Sequence, residues 1–217
     1  PSSPEDLGEL ETALSRVDSN QVLFLAVHGG DGENGKLQEV LEKHQIAFTA
    51  SGSKASHRAF DKTIAKEIVF QHGGTVPRGI MARGDHTGDA RIRIEELMEL
   101  VGQVVVKPVA DGSSIGVHFV SDAATLDAAV QELQDNPNDP YLIEERIMGR
   151  ELTVGVVDSA DGPKALPCSE VRLKEGREFD SAGKYLGDGV LEITPAEISL
   201  EDSQQAQELA CMAHTAL

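Results

Sequence analysis

Apolar positions along the chain change period several times, and the changes divide it into alternating strands and helices. Residues 21–27 (QVLFLAV) form a continuous apolar run of strand length, the pattern of a parallel strand buried on both faces. The run opens into HGGDGENG, after which Leu37, Val40 and Leu41 recur at helical spacing up to His44. Strand, glycine loop and helix in that order predict an α/β unit. A short helix is expected before it, around residues 7–17. Ala59, Phe60, Thr63 and Ile64 then share one face of a single helix starting near Ser56, and Gly73-Gly74 stops it. Residues 82–90 (ARGDHTGDA) read as a surface loop, followed by a helix over 94–101 and a strand over 104–109.

Beyond the loop ADGSSIG, a strand is predicted over 117–120. Ser121 is placed to cap a helix that carries Leu126, Ala129, Val130 and Leu133 on one face. NPNDP ends that helix, and 141–147 returns as a strand. The segments ELTVGVV and KALPCSEV read as a hairpin turned at 159–162. Ser199 with Asp202 resembles a capping box for a last helix, where Ala206, Leu209, Ala210 and Ala213 share a face. The order predicts a mixed α/β protein containing a smaller α+β module.

Composition narrows the function. A formal net charge of -18 argues against a nucleic-acid partner, because binding a phosphate backbone needs clustered Lys and Arg. It leaves nucleotides open, since a few placed lysines and magnesium can neutralise a triphosphate. Aromatics are only 4%, with no Trp, so base-stacking surfaces and membrane belts have little material. No apolar run approaches the roughly 20 residues of a membrane helix, and no basic-then-apolar leader is seen, so no membrane partner is expected. Cys168 and Cys211 form neither a metal-type pair nor a disulfide framework, which suits a reducing cytoplasm.

The chemistry concentrates in VVVKPVADGSSIGV. Lys107 sits in a strand, and the glycine-serine loop follows at once. Gly112 and Gly116 let backbone approach a phosphate closely, Ser113 and Ser114 add hydroxyl donors, and successive N–H groups can form an anion nest. A second strand follows the loop, whereas a P-loop leads into a helix and carries its Lys after the glycines. A plain glycine-rich hairpin turn is the alternative. The strand-borne Lys107 weighs against it, because a buried lysine needs a partner and phosphate is one.

Five segments together resemble the D-alanine–D-alanine ligase family of the ATP-grasp superfamily. VVVKPVADGSSIGV is similar to that family's phosphate loop, and HGGDGENGKLQ to its His-Gly loop. SGSKASHRAFDK is similar to its Asp-Lys run, and EERIMGRELTVGVV to its hinge strand. DSAGKYL followed by TPAEI resembles its Lys-Tyr loop, without the aromatic residue common there. The segments keep the family's order from about Val22 to Ala196.

The resemblance implies a partial ATP-grasp fold. Residues 1–62 would be a Rossmann-like substrate domain, 63–143 an α+β lid, and 144–217 the start of the C-terminal mixed sheet. It implies ATP-dependent joining of two D-alanines to D-alanyl-D-alanine through an acyl phosphate, for peptidoglycan precursors. His28 would touch a D-alanine carboxylate and Glu33 support its loop; a strand-end His and a solvated loop carboxylate are the plainer alternatives. Lys62 and Lys107 would contact ATP phosphates, together with the Gly112 and Ser114 loop. Glu144, Glu145 and Ile147 lie on the strand that supplies adenine contacts. Only one of the two neighbouring carboxylates can face a given site. Glu151 would bind the ribose hydroxyls. Ser113 and Tyr185 would pair to shape the D-alanine site and close a loop, and Lys184 would stabilise the transferring phosphate. The Lys-Tyr loop favours an amine over lactate as nucleophile.

The implied ligands of two Mg2+ ions would lie beyond Leu217, and the chain reads as truncated at both ends. No metal ligand is therefore assigned within it. Relatives are commonly dimers, so a homodimer is compatible with the resemblance. Two other readings stay open: a non-catalytic ATP-binding module, and another ATP-grasp carboxylate–amine ligase.

Overall fold

The computed structural model describes residues 10–83, 87–112, 114–173 and 190–217. It divides into two compact units, residues 1–60 and 61–217.

In the first unit, a short helix α1 (Leu10–Leu14) precedes strand β1 (Val22–Leu23), which pairs in parallel with β2 (Ala47–Phe48). The expected seven-residue buried strand is thus two residues long, and Val22, Phe24 and Val27 are 64%, 81% and 48% exposed. A parallel strand is buried on both faces only inside a wider sheet covered by helices, and β1 pairs only with β2 among the described residues. The glycine loop forms a 3-10 turn over Gly30–Gly32 and enters helix α2 (Lys36–Lys43) through Gly35. Gly35 has a φ of +93, and a Cβ there would lie 2.4 Å from the Ser53 carbonyl oxygen, so only glycine fits. Helix α3 (Ser53–Phe60) packs on α2, with the Ser53 amide and hydroxyl donating to the Glu42 carboxylate at 2.8 and 2.6 Å.

The second unit opens with α4 (Lys62–Gln71). The helix expected to run on from Ser56 is broken at Asp61, whose carboxylate accepts from the Thr63 and Ile64 amides. Asp at this position competes for helix N–H groups and so starts a new helix. Strands β3 (Gly79–Arg83), β4 (Val104–Pro108), β5 (His118–Val120) and β6 (Pro140–Glu145) form an antiparallel sheet of order β3-β6-β4-β5. The expected loop over 82–90 instead contains the end of β3 and the start of α5 (Thr87–Val101), apart from residues 84–86. Helix α6 (Ala123–Asp135) is capped by Asp122 in a reciprocal box with Thr125, one residue after the expected Ser121.

Helices α5 and α6 pack against the sheet, and Ile94, Leu97, Leu126, Ala129 and Leu133 meet Val104, Val106, Val120, Tyr141 and Ile143 in a closed core. The four predicted apolar positions of α6 are all buried. Each such Leu removed from water contributes about 1.5–3 kcal/mol. Strands β7 (Glu151–Thr153) and β11 (Val190–Ile193) flank β10 (Ser169–Leu173) in an antiparallel sheet. The hairpin forms as β8 (Val156–Ser159) and β9 (Gly162–Ala165), with Ser159 opposite Gly162. Helix α7 (Leu200–Ala216) packs on that hairpin and on α4, with Ser199 as its cap. No helix of the described residues is long and apolar enough to cross a membrane.

Candidate functional site

Strand alternation sorts the side chains of the four-stranded sheet between its two faces. Val104 and Val106 of β4 and Ile143 of β6 point into the helix-covered core. Val105 and Lys107 therefore point the other way, and so do Leu142 and Glu144, which stand opposite Lys107 and Val105 in register. Lys107 and Glu144 are diagonal neighbours on this second face. Glu145 has the opposite parity, so the pair of carboxylates is separated by the pleat. Glu144 is 4% exposed, while Glu145 is half-buried.

Helix α4 brings two more cations. Lys62 Nζ donates to the carbonyl oxygens of Pro108 at 2.9 Å and Asp111 at 2.7 Å, and its backbone amide donates to the Val109 carbonyl at 3.0 Å. It thus ties the first turn of α4 to the start of the glycine-serine loop. Lys66, one turn on, donates to the Pro77 carbonyl at 2.9 Å and forms an ion pair with Glu144 Oε1. Glu144 Oε2 pairs with Lys107. One buried carboxylate thus carries two ammonium groups, with a third cation on the adjoining loop.

Burial, and next the repulsion from Lys107, pull the Lys62 ammonium below the usual lysine range; Asp111, Asp61 and Glu144 oppose this. A further anion placed here would relieve that penalty. Gly79, opposite Glu144 on β3, makes the arrangement sterically possible. A Cβ there would meet the Ile143 carbonyl oxygen at 2.9 Å, Lys66 Nζ at 3.0 Å and Glu144 Cγ at 3.2 Å.

In the loop itself, the Gly112 amide donates to the Asp111 carboxylate at 2.7 Å, and Ser114 (φ 58) and Gly116 (φ 66) are left-handed. Ile147, 64% exposed, follows the end of β6, and exposed Glu151 begins β7. His28 and Glu33 are exposed residues flanking the glycine turn of the first unit. Ser113, Lys184 and Tyr185 lie outside the described residues. Of the expected site residues, then, Lys62, Lys107 and Glu144 come together beside Gly112 and Ser114.

Sequence reasoning passed over Lys66. The available signal was its spacing of four from Lys62, which puts two like charges on one helix face, an arrangement that is unfavourable without an anion. It also passed over Glu170, buried on β10. The Arg150 guanidinium binds both its oxygens, and Arg172 Nη2 donates to it at 2.8 Å and to Glu197 Oε2 at 2.9 Å. The hydrogen bonds from Arg150, then those from Arg172, hold the Glu170 carboxyl down to about 2.

A protein-family model described as "D-ala D-ala ligase C-terminus" matches residues 77–217. A D-alanine--D-alanine ligase of Methylobacterium radiotolerans is 36% identical over 98% of this chain, which spans 64% of that relative's length. Among solved structures, the VanG D-Ala:D-Ser ligase from Enterococcus faecalis matches with a TM-score of 0.76 and 29% identity, over 90% of this chain and 55% of the other. The D-alanine--D-alanine ligase from Bacillus anthracis matches with a TM-score of 0.75 and 25% identity, over 97% and 66%. The α/β architecture is a partial ATP-grasp fold. With its family model covering the whole lysine-bearing sheet from β3 onward, the chain belongs to the D-alanine–D-alanine ligase family.

Proposed function

We propose that this chain supplies the nucleotide-holding lid and part of the substrate platform of an ATP-dependent ligase. That ligase joins two D-alanines to D-alanyl-D-alanine through an acyl phosphate, for peptidoglycan precursors. Residues 63–143 act as the lid, 144–217 as the start of the C-terminal domain, and 1–62 as part of the substrate domain. The carrying observation is the gathering of Lys62, Lys66 and Lys107 about one buried carboxylate beside the glycine-serine loop. Three ammonium groups around a single buried carboxylate leave an excess of positive charge in a partly desolvated place, and that excess fits a polyphosphate.

ATP, when bound, supplies the phosphoryl group that activates the first carboxylate. Lys107 holds phosphate oxygens from the sheet face, while Lys62 holds the carbonyl oxygens of Pro108 and Asp111 and so fixes the start of the glycine-serine loop beside the phosphates. Charge moves among the transferring oxygens, so fixed cations and backbone donors accelerate this chemistry by position alone. Glu145, Ile147 and Glu151 continue the same segment toward adenine and ribose. His28 and Glu33 serve the D-alanine carboxylate, Ser113 and Tyr185 are paired in shaping the D-alanine site, and Lys184 stabilises the transferring phosphate. Among the described residues no three His, Cys, Asp or Glu side chains gather into a metal-holding group. Both cysteines are free, which suits a cytoplasmic protein.

D-Alanine-dependent phosphate release tests the reading, measured on this chain and on the chain extended at both ends to the length of its relatives. Release by the extended protein with D-alanine supports it. Release only when D-serine is the second substrate would redirect it toward the specificity named for the Enterococcus faecalis relative. ATP binding without release in the extended protein would leave a binding module instead.

A further inference from the structure

Two lysines on one buried carboxylate are one more than charge balance requires, and the two are held differently. Glu144 has a side chain only 6% exposed and needs at least one cation beside it. Lys66 is anchored twice, to Glu144 Oε1 and to the Pro77 carbonyl at 2.9 Å, on a helix whose first turn is tied to the loop by Lys62. Lys107 extends from β4 to Glu144 Oε2, immediately before the glycine-serine loop. The absence of a side chain at Gly79 leaves the space in which Lys66 and Glu144 meet.

We propose that Lys66 is a positioning residue for phosphate binding: it neutralises Glu144, so that the Lys107 ammonium can leave that carboxylate for a phosphate oxygen without stranding a buried charge. The inference rests on the nucleotide reading above. Lys66 touches no phosphate itself; it acts through Glu144 on Lys107. Without Lys66, the carboxylate has Lys107 as its remaining ammonium partner in this cluster, and phosphate must compete with a buried ion pair for it. With Lys66 present, Lys107 exchanges one anion for another while Glu144 stays paired.

Titration calorimetry of the chain with ADP, and with adenosine as the phosphate-free probe, tests this. Lys66→Met should weaken ADP binding about tenfold or more, the worth of one charge-assisted hydrogen bond, and leave adenosine binding unchanged. Lys66→Arg should bind ADP as the unaltered chain does. Adding Glu144→Gln to Lys66→Met removes the charge that captures Lys107, so ADP affinity should return to that of Glu144→Gln alone. A thermal melt of each variant confirms that it is folded, and the arginine and double variants keep the test decisive if Lys66→Met is not.

Unchanged ADP affinity in Lys66→Met would overturn the proposal, as would equal losses for ADP and adenosine, which mark a structural role. Failure of Glu144→Gln to rescue would overturn it too. Absence of ADP binding by the unaltered chain is a different failure: it removes the nucleotide reading, and the role of Lys66 with it.

Discussion

Gly79→Ala sets two opposing effects against each other at the centre of the lysine cluster. Gly79 lies in β3, and its φ is not among the positive ones. On backbone grounds alone, alanine should stabilise by about 0.4–1 kcal/mol, because it restricts the unfolded chain. The added Cβ, however, would lie 2.9 Å from the Ile143 carbonyl oxygen, 3.0 Å from Lys66 Nζ and 3.2 Å from Glu144 Cγ. The closest of these is backbone of the neighbouring strand, which is itself paired on its other side with β4, so it cannot yield by a rotamer change. Overpacking of this kind costs about 1–3 kcal/mol, so the steric effect wins and the net expectation is destabilisation of about 0.5–2 kcal/mol. Gly149 is the control: nothing lies within 4 Å of a Cβ there, so Gly149→Ala should be neutral or slightly stabilising. Urea unfolding of both variants, read from midpoint and slope, measures the difference. Gly79→Ala as stable as Gly149→Ala would refute the close approach of β3, β6 and Lys66, and with it the steric basis of the cluster.

Lys107→Ala should weaken ATP binding by about tenfold or more, since it removes a charge-assisted contact; unchanged affinity in a filter-binding or calorimetric assay takes Lys107 out of the site. Leu133→Ala, at a position with 0% exposure in the closed core, should cost about 2–5 kcal/mol in urea unfolding. Glu170 predicts an acid effect: its carboxyl is held at about 2 when folded, against an ordinary 4.5, first by Arg150 and then by Arg172. A lowered folded value means the contribution is complete above the ordinary carboxyl range and is lost as pH falls toward 2. Glu170→Gln should therefore flatten the stability profile between those limits, and an unchanged profile would show that the two arginines do not govern it.

Elements whose own apolar pattern marks the face they bury were legible in the sequence, and those that depend on neighbours were not. Helix α6 was readable because Leu126, Ala129, Val130 and Leu133 sit on a stripe that any apolar surface would bury. β1 was misjudged because QVLFLAV announces a strand wanting cover on both faces, while β2 is its sole strand partner among the described residues. β3 went unread because Gly79 and Arg83 interrupt its apolar alternation. Its pairing comes from β6 rather than from its own propensity, as context outweighs intrinsic strand preference.

The site divides along the same line. Lys107 was visible because a lysine inside an apolar strand is costly and points to a partner. Lys66 has only its like-charged i,i+4 neighbour Lys62 as a local sign, and that points to an anion without saying which. Its place is decided by a carboxylate 78 positions away, and no local pattern encodes that separation. Glu144 and Glu145 stand between these cases. The period of two already requires that one carboxylate turn away from the site. Which one does so follows from register: Ile143 must reach the core formed by Val104 and Val106, so Glu144 is turned to the opposite face, toward Lys66 and Lys107. The apolar core thus selects the charged site, and substituting Ile143 by a polar residue would disturb both faces of β6 together.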